Sequence, residues 1–142
     1  MFRTLTPDIM VAPQIAVGDV AIAAAQGVTL IINNRPDGES ADQTPGAVIE
    51  AEARAAGLDY VAIPVTHAGF SQTQVDAMVK ALEACEGNIL AYCRSGTRSC
   101  LLWSLARARQ GDDPEALSAV AADAGYDLTP VRAMLDMLYN AS

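Results

Sequence analysis

One stretch of the sequence decides the fold: Asn88-Ile-Leu-Ala-Tyr-Cys93-Arg-Ser-Gly-Thr-Arg98-Ser-Cys-Leu-Leu-Trp-Ser-Leu-Ala-Arg-Ala-Arg-Gln110. It opens with an apolar run of strand length, residues 88–92, and closes with a predicted helix over residues 99–110. The polar loop between them, residues 93–98, turns directly from strand to helix. In α/β proteins, functional sites form beyond the carboxyl ends of the strands. Cys93 lies at such a position.

The same alternation of strand and helix extends on both sides of this stretch. Apolar, β-branched runs predict strands at residues 28–33 and 59–64. Residues 9–12 and 14–16 are short apolar runs separated by Pro13, which predicts edge strands.

The predicted helices follow from their terminal residues as well as from their composition. Thr44 followed by Pro45 predicts a helix start, and Ser71 with Gln74 has the spacing of a capping box. The predicted helices span residues 18–26, 45–56, 71–86, 99–110, 114–124 and 130–139. We therefore expect one α/β domain over residues 1–142, with three layers and a mostly parallel central sheet flanked by helices.

The composition excludes several classes of function. Nine Lys and Arg oppose 17 Asp and Glu, and the resulting net charge of −8 argues against nucleic acid or an anionic membrane as a partner. No apolar run is long enough to span a bilayer, and the first residues lack the apolar stretch of a secretory signal. Three cysteines do not suggest a disulfide framework, and one histidine offers few metal ligands. The expectation is a cytoplasmic protein without a metal or other cofactor.

The loop after residue 92 has the features of a nucleophilic site. Its backbone N–H groups converge at a helix N-terminus, which favours an anion there and a thiolate at Cys93. Arg98 adds a forked cationic donor, and Gly96 lets the backbone curl. We predict Cys93 and Arg98 as catalytic residues, in an anion-binding loop completed by Arg94, Ser95, Gly96, Thr97 and Ser99. Cys85 and Cys100 are predicted to be core or semi-buried residues, with a resolving thiol as the alternative for Cys100.

The spacing within the loop resembles that of rhodanese-type sulfurtransferases, in which four residues separate the cysteine from the arginine. Protein tyrosine and dual-specificity phosphatases have five residues there and a histidine before the cysteine, where this chain has Tyr92. The rhodanese strand end Asp-Val-Arg, followed by Gly-His-Ile-Pro-Gly-Ala, is absent. The order that begins with Asp59-Tyr-Val-Ala-Ile-Pro-Val65 and continues through a helix, a strand and the cysteine loop resembles a dual-specificity phosphatase instead.

The whole combination is similar to the bacterial beta-lactamase-hydrolase-like family, named for its phosphatase-like domain. Its members also carry Asn-Arg-Pro-Asp-Gly-Glu after the second core strand, here residues 34–39. The resemblance covers residues 5–128 and implies a cysteine-phosphatase-like fold. In longer relatives this domain is joined to a metallo-beta-lactamase-type hydrolase of persulfides. The resemblance thus implies sulfur metabolism and a separate persulfide-metabolising enzyme as a partner.

The choice of chemistry depends on the leaving group. Expulsion of an alkoxide or phenoxide from a phosphate ester benefits from a general acid. Dual-specificity phosphatases place an aspartate three residues after the proline of the strand, and this chain has His67 there. Expulsion of sulfite from thiosulfate needs no acid. The preferred prediction is therefore a sulfurtransferase that passes sulfane sulfur through a Cys93 persulfide.

Two alternatives stay open beside the sulfurtransferase. One is a cysteine-based phosphatase, so that the substrate is either a small anionic sulfur donor or a phosphate ester. The other is a non-catalytic module in which the thiol senses redox state or anions. Three residues are candidate auxiliary groups: His67 as a proton donor or an exposed loop residue, Asp37 as a substitute acid or a turn former, and Arg35 as a source of positive potential or a surface residue.

Overall fold

The strands of the computed structural model, which describes residues 1–142, are β1 (Arg3–Thr6), β2 (Ile9–Ala12), β3 (Val28–Asn33), β4 (Asp59–Ala62) and β5 (Asn88–Tyr92). They form one sheet in the order β1-β2-β5-β3-β4. β1 is antiparallel to β2, and all other neighbours are parallel. The sheet is thus mixed and mostly parallel, which confirms the predicted fold class. β5, which leads into the cysteine loop, lies at its centre.

The helices are α1 (Val17–Ala25), α2 (Gly46–Ala55), α3 (Gln72–Ala84), α4 (Thr97–Arg109), α5 (Pro114–Asp123) and α6 (Arg132–Asn140), with a 3-10 turn at Thr129–Val131. The helices cover both faces of the sheet. Successive side chains of a strand point to opposite faces, so neighbouring strand residues pack against different helices. Ile31 and Leu90 pack in a cluster with α1 and α2. Ile32 and Ala91 pack in a second cluster with α3 to α6. The predicted three layers are therefore present.

α4 is the most deeply buried helix of the fold. Every residue from Ser99 to Ala106 is buried, and Leu102 and Leu105 are completely inaccessible. A leucine at such a position typically contributes about 2–5 kcal/mol relative to alanine. The first turn of α4, which carries the end of the cysteine loop, is therefore held in a rigid part of the core.

Three local predictions are wrong in detail, and one strand was missed. β2 is not an edge strand, because β1 covers it, and residues 14–16 are not a strand at all. β1 was not predicted, since Leu5 is its only buried residue and no apolar pattern marks it. α2 begins one residue later than expected and has Pro45 as its N-cap, without a side-chain cap from Thr44.

Other local features follow the sequence closely. The capping box of α3 is present: Ser71 N–H donates to Gln74 Oε1 at 2.8 Å, and Gln74 N–H donates to Ser71 Oγ at 3.5 Å. This helix ends at Ala84, two residues earlier than predicted. None of the helices combines the length and the apolar character that crossing a membrane requires.

Candidate active site

The cysteine loop places a buried sulfur directly beneath a helix N-terminus. Cys93 follows β5 and is fully buried, and the Gly96 N–H group donates to its Sγ at 3.1 Å. α4 begins at the next residue, Thr97. The Gly96 donor and the positive end of the α4 dipole both favour negative charge on this sulfur. The arrangement is suited to a nucleophilic thiolate.

Gly96 is required at its position for two reasons. Its φ of +90° lies in the left-handed region, which residues with a side chain rarely adopt. A Cβ atom there would collide with the hydroxyl group of Tyr126 and would lie 3.4 Å from the carbonyl carbon of Ala12. Tyr126, from the segment after α5, thus packs directly against the loop.

Arg98 is fixed by a two-pronged ion pair with Glu39. Its Nη1 donates to Glu39 Oε2 at 2.7 Å and to the Val65 carbonyl at 2.7 Å, and its Nη2 donates to Glu39 Oε1 at 2.8 Å. The hydrogen bond with Glu39 is the main cause that raises the pKa of Arg98, and the nearby Cys93 acts in the same direction. Arg98 is therefore a permanent cation in a defined orientation beside the sulfur.

Glu39 is held as a carboxylate by two arginines. Hydrogen bonding from Arg98 is the largest cause that lowers its pKa to about 2, and Arg35 adds to this effect against the opposing effect of burial. Arg35 Nε donates to Glu39 Oε1 at 2.9 Å, while its Nη1 binds Gln14 Oε1 at 3.0 Å. Arg35 is buried and does not reach the pocket, so its role is to support Glu39 rather than to bind a ligand.

Asn34 joins the ends of three segments at the site. Its Nδ2 donates to the Ile63 carbonyl at 2.9 Å, and its backbone N–H donates to the Tyr92 carbonyl at 2.8 Å. The Ser99 hydroxyl donates to Asn34 Oδ1 at 2.8 Å. Ser99, predicted as part of the anion-binding loop, is thus buried and engaged with Asn34. These bonds fix the cysteine loop to the ends of β3 and β4.

A pocket of about 470 Å³ opens above the loop. It is lined by Pro36, Glu39, Thr66, His67, Arg94, Ser95 and Arg98. The structure therefore brings together four of the predicted site residues around the pocket, namely His67, Arg94, Ser95 and Arg98, with Cys93 buried in the same loop.

The other predicted residues lie outside the lining of this pocket. Thr97 is exposed, and its hydroxyl accepts a hydrogen bond from Ser95 Oγ at 3.0 Å. Asp37 accepts the Gly46 N–H bond at 2.8 Å. That contact corresponds to the turn-forming role considered for Asp37, and it satisfies a free donor at the start of α2.

A larger opening of about 640 Å³ lies at the amino ends of β3 and β4, beside α3 and Cys85. It is distant from the Cys93 loop, and it contains neither a helix N-terminus nor an arginine. We therefore place the site at the smaller pocket. No group of three His, Cys, Asp or Glu side chains is arranged to hold a metal ion.

The remaining cysteines belong to the body of the protein. Cys100 is fully buried, and burial, with a smaller contribution from Cys93, raises its pKa to about 12. A thiol that stays protonated is a poor nucleophile, so the geometry gives no support to Cys100 as a resolving thiol. Cys85 is half-buried, with its Sγ 3.3 Å from Thr29 Oγ1.

Glu39 and Asn34 are the site residues that sequence reasoning missed. Both lie within the quoted motif at residues 34–39, but neither was given a role. One signal was available for Glu39, because a buried or half-buried arginine needs an acidic partner, and this motif contains two acids. No comparable signal pointed to Asn34, since asparagine in a turn-rich segment usually forms the turn itself.

The mixed, mostly parallel sheet, with a buried cysteine at the carboxyl end of its central strand and an arginine in the first turn of the next helix, has the architecture of the cysteine-phosphatase-like class. The chain belongs to the family described as Beta-lactamase hydrolase-like protein, phosphatase-like domain, whose model matches residues 1–110. Beta-lactamase hydrolase-like proteins of Xylella fastidiosa and Agrobacterium fabrum are 37% and 36% identical to it over 109 and 101 residues. These matches cover 74% and 71% of this chain but 25% and 23% of those relatives. The chain thus spans about a quarter of the length of the curated relatives that it matches.

Solved structures agree with this classification. A candidate phosphatase from Neisseria meningitidis Z2491 superposes with a TM-score of 0.83 and 32% identity, over 96% of both chains. A mouse protein named as a candidate dual-specificity phosphatase superposes with a TM-score of 0.72 over 99% of this chain and 87% of its own, at 23% identity, which shows the fold alone. The predicted family and fold are therefore confirmed. The comparisons support the phosphatase alternative better than the sulfurtransferase that the sequence favoured.

Proposed function

We propose that this chain is a cysteine-dependent phosphatase that hydrolyses phosphate monoesters. The observation that carries the proposal is the loop itself, in which the buried Cys93 sulfur accepts the Gly96 N–H bond beside a guanidinium fixed by Glu39. The family and its structural neighbours support the same chemistry.

In the first step the Cys93 thiolate attacks phosphorus. The P–S bond forms as the P–O bond to the leaving alcohol breaks, which gives a phosphocysteine. Arg98 keeps donors that Glu39 and Val65 do not use, and together with loop N–H groups these bind the phosphoryl oxygens in the transition state. Because Glu39 fixes the guanidinium before substrate arrives, little reorganisation is needed.

His67 is the proposed general acid. Among the groups that line the pocket, Glu39 is unsuitable because its pKa of about 2 keeps it ionised. The arginines of the lining do not release protons at neutral pH. His67 is exposed to the pocket and can give a proton to the leaving oxygen. In the second step it takes a proton from water, which attacks the phosphocysteine and releases inorganic phosphate and the thiolate.

The test compares phosphate release from phenyl phosphate and from p-nitrophenyl phosphate. Cys93→Ser should abolish both activities. His67→Ala should slow phenyl phosphate hydrolysis by about 10²–10³-fold, and p-nitrophenyl phosphate hydrolysis much less, because p-nitrophenolate leaves without a proton. His67→Asp should restore part of the lost rate. An equal loss with both substrates would show that His67 is not the acid.

Sulfur transfer is the second candidate, and the gap of four residues between Cys93 and Arg98 favours it. In that reaction the thiolate would attack the outer sulfur of thiosulfate and expel sulfite, and a thiol or cyanide would then remove the sulfur from the Cys93 persulfide. A separate persulfide-metabolising enzyme would be its partner. Thiosulfate-to-cyanide transfer is measured on the same preparation. If transfer is faster than ester hydrolysis, the phosphatase proposal is wrong.

A further inference from the structure

The side chain of Arg94 has no partner within the protein. Each of the other seven arginines forms a side-chain hydrogen bond or ion pair: Arg3 with the Ala124 carbonyl, Arg35 and Arg98 with Glu39, Arg54 with Glu50, Arg107 with Asp112, Arg109 with Asp76, and Arg132 with Glu115 and Asp136. Arg94 contributes only its backbone carbonyl, which accepts the Gln14 N–H bond at 3.3 Å. Its guanidinium, with five donors, is therefore free at the wall of the pocket.

The charge of Arg94 acts on the pKa of Asp42, but Asp42 does not bind the Arg94 guanidinium. Asp42 is exposed and accepts a hydrogen bond from Ser40 Oγ at 2.8 Å. That bond is the main cause that lowers the pKa of Asp42, while the charge of Arg94 is the smallest contribution named. Arg94 thus remains available to a ligand.

The pocket offers few apolar groups for holding the body of a substrate. The rings of Pro36 and His67 are the flat surfaces of its lining, which contains no Leu, Ile, Val, Met, Phe, Tyr or Trp side chain. The charge of Glu39 is compensated by Arg98 and Arg35. The pocket therefore has an excess of positive charge in a protein with a net charge of −8. We therefore expect charge and hydrogen bonds to contribute more than apolar contact to the selection of the substrate.

We propose that Arg94 is a specificity-determining residue that binds a second anionic group of the substrate. The preferred substrates are then phosphate monoesters with a carboxylate or a further phosphate near the ester. This inference rests on the proposed phosphatase function. Arg98 binds the phosphoryl group that reacts, and Arg94 binds the second anion, for which its planar fork is well suited.

The experiment uses two probes with the same ring, phenyl phosphate and 3-carboxyphenyl phosphate, and the full chain. Wild type should show a kcat/KM about tenfold higher for the carboxylated probe, mainly through a lower KM, and the preference should shrink at high ionic strength. Arg94→Ala should lower kcat/KM for the carboxylated probe about tenfold more than for phenyl phosphate. Arg94→Lys should retain part of the preference. Arg54→Ala, which removes an exposed arginine of α2, should leave both values unchanged.

A binding measurement separates the failure of this inference from the failure of the proposed function. Calorimetric titration of Cys93→Ser with 3-carboxyphenyl phosphate needs no turnover, and the added Arg94→Ala substitution should weaken binding about tenfold. If wild type hydrolyses neither probe but binding still depends on Arg94, the phosphatase function is wrong and the anion site stands. If wild type prefers neither probe and binding is independent of Arg94, the specificity role is overturned.

Discussion

The contacts of Glu39 link the cysteine loop to the 34–39 motif, and Glu39→Gln tests them directly. The substitution nearly keeps the shape of the side chain, removes its charge and places an amide N–H group opposite a guanidinium nitrogen. Arg98 should lose its fixed orientation, and Arg35 should lose one of its partners. We expect both the stability and the activity of the protein to fall.

The size of the effect on stability follows from the pKa of Glu39. Hydrogen bonding from Arg98, followed by the contribution of Arg35, lowers this pKa from 4.5 to about 2. That difference corresponds to about 3.4 kcal/mol in full. Because the carboxylate lies at the mouth of a pocket open to water, screening reduces the expected loss to about 1–2 kcal/mol. For a domain of this size, the loss lowers Tm by about 4–8 °C.

The contribution of Glu39 to folding stability depends on pH with a definite sign. The pKa of Glu39 is depressed in the folded state, so its stabilising contribution is present above pH 4.5 and is lost as the pH falls towards about 2. Urea unfolding, followed by the fluorescence of the buried Trp103, should show the largest difference between wild type and Glu39→Gln at pH 7. The difference should be clearly smaller at pH 3.5.

The matched control is Glu50→Gln, which breaks an exposed pair with Arg54 and should cost at most about 0.5 kcal/mol. The kcat/KM of Glu39→Gln for phenyl phosphate should fall about 100-fold, because a misplaced Arg98 no longer matches the transition state. If Glu39→Gln has wild-type stability at pH 7, no pH-dependent difference and an unchanged kcat/KM, then Glu39 does not fix the orientation of Arg98 as we propose.

Two further predictions concern the loop and the core. Gly96→Ala should abolish activity and destabilise the fold by about 2 kcal/mol or more. The φ of +90° at this position is unfavourable for alanine, and the new Cβ atom would collide with Tyr126. Wild-type turnover with an unchanged urea midpoint would contradict this prediction. Cys100 should resist iodoacetamide at pH 8 in the folded protein and react once guanidinium chloride unfolds it, since burial raises its pKa to about 12. Mass mapping that finds Cys100 labelled in the native state would exclude it from the core.

The strands and helices that the sequence predicts well are those with a strong local signal. β3 and β5 are apolar runs buried on both faces, and α3 begins with a capping box formed by residues three apart. β1 gave no such signal, because its polar residues are ordered by pairing with β2 rather than by their own pattern. The same neighbour makes β2 an inner strand.

The residues of the candidate site also differ in whether a local sequence signal identifies them. Cys93, Gly96 and Arg98 could be identified because six consecutive residues form the strand–loop–helix turn, and their relative placement is local. The choice of chemistry could not be made from loop spacing alone. The four-residue gap favoured sulfur transfer, whereas the family and the solved structures support the phosphatase alternative better.

The sequence by itself therefore determined the fold class, the candidate nucleophile and the arginine beside it, because these depend on periodicity and on neighbours along the chain. Only the tertiary structure decided which side chains support them. Glu39 and Arg98 are 59 residues apart, and Asn34 and Ser99 are 65 apart. They meet because β3, β4 and β5 are parallel and end at one edge of the sheet, so that the loops after them converge. Such a meeting depends on strand order and register, which no local pattern encodes.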